Sequence, residues 1–193
     1  MARRAVFLDR DGVLNVEKGY IFKVEDLELV SGSAQAVRRL NEAGWFCCLV
    51  SNQAGPARDY YAQAHVEVLN ARVVELLKTE ADAHLDALRY CPYLSPPEGG
   101  VNPEFARWGT WRKPNTGMLV SAAWEYDLDI RQSVMVGDKA TDVDLAHNAG
   151  AKGILVQTGY GQKVLSGAYQ YQTQPDYLAR NLSDGVDWIL GRF

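Results

Sequence analysis

Short apolar runs alternate with amphipathic stretches along this chain of 193 residues. Val6-Phe7-Leu8, Trp45 to Val50, Leu85 to Tyr90, Ser133 to Val136 and Gly153 to Gln157 are each a few residues long and bounded by turn formers. That is the pattern of strands buried on both faces of a parallel sheet. Between them the period changes. Ala34, Val37 and Leu40 share one face of a helix over 34–43, with Ser31 or Ser33 as its cap and Gly44 as its stop. Ala62, Val66, Leu69, Val73 and Leu77 recur at spacings of four and three, the strongest helical pattern in the chain. Further helices are expected over 116–126, with Met118, Ala122 and Tyr126 inward, over 141–149 with Gly150 closing it, and over 183–190. Strands alternating with helices predict an α/β fold, a doubly wound parallel sheet of Rossmann-like type. Residues 16–32 are mixed and polar and predict a flap or small β-excursion over the strand ends. Residues 92–115 carry five prolines and a Gly99-Gly100 pair and predict a long functional loop. Residues 159–175 are polar and aromatic without a period and read as loop. No repeat, low-complexity tract or linker divides the chain, so a single domain over 1–193 is expected.

Composition narrows the class. A chain 47% hydrophobic and 23% charged has enough apolar material for a core without covalent staples. A formal charge of −4 offers no basic footprint for nucleic acid or an anionic membrane, and no apolar run approaches a membrane span. Three cysteines, two of them adjacent at Cys47 and Cys48, do not make a disulfide framework, and no secretory leader is evident. A reducing cytoplasm is the expected setting.

The candidate chemistry sits at strand ends. Asp9 and Asp11 follow the first apolar run, one residue apart on a turn marked by Gly12. Ligands of open α/β sheets sit outside the carboxyl ends of the strands. Residues i and i+2 of an extended chain point the same way. Two carboxylates so placed repel unless a proton or cation separates them, which gives a reason to expect Mg²⁺. Taken alone, D-x-D serves equally as a solvated turn, a serine after a strand as a helix cap, and a lysine as a solvated charge. The order of four elements decides otherwise: Asp9-Arg10-Asp11-Gly12-Val13-Leu14-Asn15, then Ser51-Asn52 after a strand, then Lys113, then Gly137-Asp138-Lys139 with Asp142.

That order resembles the haloacid dehalogenase superfamily of phosphohydrolases over nearly the whole chain. Phosphoryl transfer needs positive charge on the equatorial oxygens and an in-line nucleophile, and a carboxylate nucleophile divides hydrolysis into two steps. The resemblance implies that Asp9 attacks phosphorus to give an aspartyl-phosphate, and that Asp11 is acid and base and lends its backbone carbonyl to Mg²⁺. It implies that Asp138 completes the metal set of Asp9, Asp11 and Asp138. Ser51 would hold a phosphoryl oxygen, and Lys113 would neutralise the phosphate. Asp142, outside that set, caps or orients Lys139. Lys139 either binds substrate phosphate or braces the acidic cluster. Only about 40 residues separate Asp11 from Ser51, too few for a helical cap domain, so a minimal loop cap and an open cleft are expected.

Finer features resemble the histidinol-phosphate and heptose-bisphosphate phosphatase branch: the first motif itself, Gly19-Tyr20, Asn52-Gln53-Ala54-Gly55 with Ala57-Arg58, and Arg112-Lys113-Pro114 with Gly117-Met118. Gly19-Tyr20 and Ala57-Arg58 are closer to the D-glycero-D-manno-heptose 1,7-bisphosphate 7-phosphatases. The resemblance implies a single phosphatase domain that removes the 7-phosphate of that sugar. Histidinol phosphate is the nearest alternative substrate, with a phosphomutase or an inactive binding domain behind it. Arg112 would meet the distal anionic end, since a guanidinium fork suits a second phosphate. Asn52, Gln53 and the Glu17, Gly19 and Tyr20 flap would line the pocket. The expected partner is a small phosphorylated molecule, and the chain a monomer or weak homo-oligomer.

Two departures stand out. The branch commonly holds a structural zinc with a Cys-x-His pair and a later Cys-x-Cys pair. Here those positions read Cys91-Pro92-Tyr93 and Gly109-Thr110-Trp111. One cysteine cannot make a tetrahedral site, so no zinc is expected. Tyr93, Phe105, Trp108 and Trp111 are expected to pin the loop as an aromatic cluster instead. Ala54 stands where the family carries a serine after Asn-Gln.

Overall fold

The computed structural model describes residues 2–169 and 171–193. Six parallel strands form one sheet in the order β3-β2-β1-β4-β5-β6: β1 is Ala5–Leu8, β2 Phe46–Asn52, β3 Ala87–Cys91, β4 Val134–Gly137, β5 Lys152–Val156 and β6 Tyr177–Ala179. Alternation along the central strands feeds two cores. Val6 and Leu8 of β1 with Cys47 and Leu49 of β2 face one side, where they meet α1 (Ser33–Glu42), α2 (Gln63–Ala81) and α6 (Leu182–Arg192). Phe7, Phe46, Cys48 and Val50 face the other side, against α3 (Gly117–Tyr126) and α4 (Ala140–Ala149). Helices on both faces explain why the strands read as continuous apolar runs. Among the described residues no helix is long and apolar enough to cross a membrane.

The flap over 16–30 is a back-and-forth excursion. Val30 N donates to Leu14 O and Val16 N to Glu28 O, each at 2.9 Å, and buried Ile21 and Leu27 anchor it.

Three expectations need correction. Neither Ser31 nor Ser33 caps α1: its N-cap is Gly32, and the Ser33 hydroxyl instead donates to Leu14 O at 2.9 Å, tying the helix start to the first motif. Residues 159–175 are not all loop, because Gly161–Leu165 forms the short helix α5. A single helical turn shows no readable period. Trp108 takes no part in an aromatic cluster and is 74% exposed. Tyr93 and Phe105 do stack, with centroids 6.2 Å apart, Arg107 lies over Tyr93, and Trp111 packs against the core below α3.

Candidate active site

Three strand ends deliver the site. Asp9 follows β1, Ser51 and Asn52 close β2, and Asp138 follows β4. β1 and β4 are neighbours where the winding reverses, and such a switch point opens a crevice at the carboxyl ends of the strands. Asp9 N donates to Val136 O at 2.9 Å, which fixes the two acidic turns against each other. The turns approach so closely that only glycine fits. Gly12 and Gly159 both have positive φ, and a Cβ on either would land on the Asp138 carboxylate.

Lys113, 4% exposed, sits beneath the cleft with Nζ 2.9 Å from Asp9 Oδ1 and 2.6 Å from Asp142 Oδ1. It also donates to Val50 O at 3.1 Å. Burial disfavours its charge, but the Asp142 and Asp9 carboxylates outweigh burial and raise its pKa. Asp142 therefore serves Lys113 rather than the Lys139 ammonium. Its second oxygen accepts from Lys139 N at 3.0 Å and so caps α4. Lys139 reaches over the acidic pair, with Nζ 3.1 Å from Glu17 Oε2 and 3.3 Å from Asp138 Oδ1.

Asp138 is wholly buried. Its Oδ2 accepts from Tyr160 N at 2.8 Å, whereas no hydrogen bond of good geometry reaches Oδ1. Burial pushes this carboxyl up to about 7; Lys139 pulls it down, and Asp9 and Asp142 add to the rise. Carboxylate oxygens of Asp9, Asp138 and Asp142 lie within 4.8 Å of one another. Counting Glu17, four carboxylates face only the two ammonium groups of Lys113 and Lys139. An all-oxygen donor set with uncompensated negative charge, in which the buried Asp138 Oδ1 has an ion pair but no hydrogen bond among the described residues, fits a hard divalent cation such as Mg²⁺.

Asp11 is held differently. Arg10, only 2% exposed, donates from Nη2 to both Asp11 oxygens at 3.1 and 3.0 Å, to Gln53 Oε1 at 2.9 Å, and from Nη1 to Asn70 Oδ1 of α2 at 3.2 Å. Asn15 Nδ2 and Gln53 Nε2 complete the shell at 3.0 and 2.8 Å. Burial works to raise the Asp11 pKa, yet Arg10 and these amides hold it below the ordinary carboxylate range.

The structure brings the sequence-selected residues together. Asp9, Asp11, Glu17, Gly19, Tyr20, Ser51, Asn52, Gln53, Arg112, Lys113 and Lys139 all line one cavity of about 560 Å³, and Asp138 lies just beneath it. Some of these side chains are tied into the protein. Asn52 clips the Lys113 backbone in both directions, at 3.2 and 3.0 Å. Gln53 Nε2 bridges Asp11 to the Ser51 hydroxyl, at 2.9 Å from Ser51 Oγ. Arg112 donates to Tyr93 O at 3.3 Å and lies 3.8 Å from Glu98. Sequence reasoning missed Arg10, Glu98, Thr141 and the tyrosines at 160, 169 and 171, all but Arg10 lining the same cavity. A charged residue between two aspartates carries no sequence sign of burial.

A family model described as HAD-hydrolase-like matches residues 110–185. The chain is 66% identical over 189 residues to D-glycero-D-manno-heptose-1,7-bisphosphate 7-phosphatase of Thermosynechococcus vestitus, covering 98% of this chain and 96% of that one. It is 39% identical to D-glycero-beta-D-manno-heptose-1,7-bisphosphate 7-phosphatase of Escherichia coli K12, over 80% of each chain. A crystal structure of D,D-heptose 1,7-bisphosphate phosphatase from B. bronchiseptica, complexed with magnesium and phosphate, superposes with a TM-score of 0.83 at 29% identity, covering 98% of this chain and 99% of that one. Identity at this level along nearly the whole of both chains, with a like fold in a solved relative, places the chain in the heptose-1,7-bisphosphate 7-phosphatase family of HAD-like hydrolases.

Proposed function

We propose that the chain is a Mg²⁺-dependent phosphoric monoester hydrolase that removes the 7-phosphate of D-glycero-D-manno-heptose 1,7-bisphosphate through an aspartyl-phosphate. The observation that carries the mechanism is Asp9 at a strand end, its carboxylate 2.9 Å from buried Lys113 and within reach of Asp138. Asp9 attacks phosphorus, the bond to the sugar oxygen breaks, and Asp11, which the negative charge of a bound phosphoryl group shifts back toward its protonated form, gives that oxygen a proton. Water then gives a proton to Asp11 and attacks phosphorus, the bond to Asp9 breaks, and inorganic phosphate leaves. The Asp9 and Asp138 carboxylates and the Asp11 carbonyl would hold Mg²⁺, which when bound would supply positive charge to the phosphoryl oxygens. Lys113 and the Ser51 hydroxyl bind the remaining oxygens. Lys139, ion-paired with both Glu17 and Asp138, braces the flap over the acidic cluster and adds charge at the phosphoryl pole. Arg112 receives the distal phosphate, with Asn52, Gln53, Gly19 and Tyr20 framing the sugar.

The finer reading extends to the whole chain. It works as one domain in the cytoplasm, as a monomer or weak homo-oligomer, without structural zinc and without nucleic-acid or membrane partners. Phosphate release from the heptose bisphosphate, histidinol phosphate and a panel of sugar phosphates, with Mg²⁺, tests the substrate. Turnover of the bisphosphate well above the rest is expected. A preference for histidinol phosphate, or an isomerised phosphate among the products, would overturn the assignment.

A further inference from the structure

Beyond the phosphoryl pole the cleft has a side that no motif accounts for. Tyr160, Tyr169 and Tyr171 line the same cavity as Asp9 and Arg112. The Tyr160 and Tyr169 rings stack with centroids 4.4 Å apart and planes 29° from parallel. This stack is tied down at several points. Tyr160 N bonds Asp138 Oδ2, and Lys139 Nζ stands 4.9 Å from the Tyr160 ring centre, a cation–π contact. Tyr169 rests on the apolar cluster of Ala140, Val143, Leu155 and Val164. The Tyr171 hydroxyl donates to one oxygen of Asp144 at 2.8 Å and the Thr173 hydroxyl to the other at 3.0 Å, so α4 holds Tyr171 and Thr173, close after the stack in sequence, from outside the cleft.

We propose that Tyr160 and Tyr169 form a fixed side wall that contacts the carbon chain of a sugar phosphate beyond its reacting phosphoryl group, with Asp144 as the residue that positions the wall. The inference rests on the phosphatase reading above. The Tyr160 backbone N–H is bonded to the carboxylate at the base of the phosphoryl pole, and its ring lines the same cavity against Lys139, so the ring borders the space beyond the phosphoryl group. A sugar chain alternates C–H and hydroxyl groups. Tyrosine offers an apolar body and a polar tip, on a side chain with few rotors to freeze. The stack and the Asp144 anchor hold that surface in place before substrate arrives, which lowers the ordering cost of binding. A substrate consisting of little more than the phosphoryl group reaches Asp9 and Lys113 without touching the wall.

The test compares kcat/KM for the sugar phosphate that the wild-type protein turns over best with kcat/KM for acetyl phosphate, in Tyr160→Leu, Tyr169→Ala and Asp144→Asn. The wall predicts that KM for the sugar phosphate rises about tenfold in each tyrosine variant, the worth of roughly one lost aromatic contact. It predicts that kcat/KM for acetyl phosphate falls much less, so the ratio of the two collapses. Asp144→Asn, remote from the reacting atoms, moves the ratio the same way by a smaller factor and keeps the wall testable if a tyrosine variant fails to fold. Equal losses on both substrates would reduce the tyrosines to props for Lys139 and overturn the inference. An unchanged ratio, or a wild-type protein with no preference for any sugar phosphate over acetyl phosphate, would overturn it too. A wild-type preference for a sugar phosphate other than the heptose bisphosphate would overturn the substrate assignment alone, and the wall would then be judged on that other substrate.

Discussion

Lys113 is the residue on which the site's charge balance turns. Its ammonium is buried between Asp9 and Asp142, so removing it leaves two carboxylates in a low-dielectric place without their directly paired cation. Breaking a buried pair by deleting one partner costs about 3–5 kcal/mol. Lys113→Met is therefore expected to lower the urea midpoint of the metal-free protein as well as to abolish turnover. A midpoint equal to the wild type would mean that the pair contributes nothing to the fold. Arg10 teaches a complementary point. It holds both oxygens of Asp11 while touching Gln53 from β2's end and Asn70 from α2, so the proton carrier is positioned by two elements far apart in sequence. Asp9 and Asp138 were legible in the sequence because each is a carboxylate just past a buried apolar run, and Lys113, in the loop before α3, because the order of the motifs singled it out. Arg10 and Asn70 were not, because a polar residue on a buried surface looks the same in sequence as one in water.

At the scale of elements, the long loop between β3 and α3 is packed by apolar and aromatic side chains. Its buried apolar side chains include Leu94 and Phe105, with Tyr93 stacked on Phe105 and Trp111 packed against the core at the start of α3. Only Cys91 remains at the positions that would bind zinc, and it is buried. Treatment with a zinc chelator, followed by restored Mg²⁺, is expected to leave the melting temperature unchanged, and Trp111→Ala to loosen the loop as read by proteolysis between residues 94 and 112. A chelator-induced drop that zinc alone reverses would contradict this. The unbroken apolar run of Val6 to Leu8 ahead of a glycine turn, and the helical spacing of Val66 to Leu77, gave β1 and α2 directly. β6 and α5 span three and five residues, too short for either period to be read, and they are held by contacts with β5 and α4 that no local pattern records.

Across the whole molecule the buried acidic cluster couples metal, pH and stability. Burial raises the Asp138 carboxyl to about 7, above its unfolded value near 3.9. A group raised on folding contributes stability that is fully present below the unfolded pKa and lost as pH rises through the folded one. The metal-free protein is expected to lose melting temperature between about pH 4 and 7 through this group. Asp138→Asn flattens that slope, and saturating Mg²⁺ offsets the loss by binding only the folded chain. A metal-free protein whose stability rises over that interval, with the same rise in Asp138→Asn, would show that Asp138 does not carry the coupling.

The central claim is that Asp9 becomes phosphorylated, and borohydride trapping addresses it most directly. An acyl phosphate quenched during turnover is reduced to the alcohol, which converts the modified aspartate to homoserine. With heptose bisphosphate and Mg²⁺ present, peptide mass spectrometry is expected to find homoserine at position 9, and none without substrate or in Asp9→Asn. Homoserine at another carboxylate, or full turnover by Asp9→Asn with no trapped residue, would contradict the account.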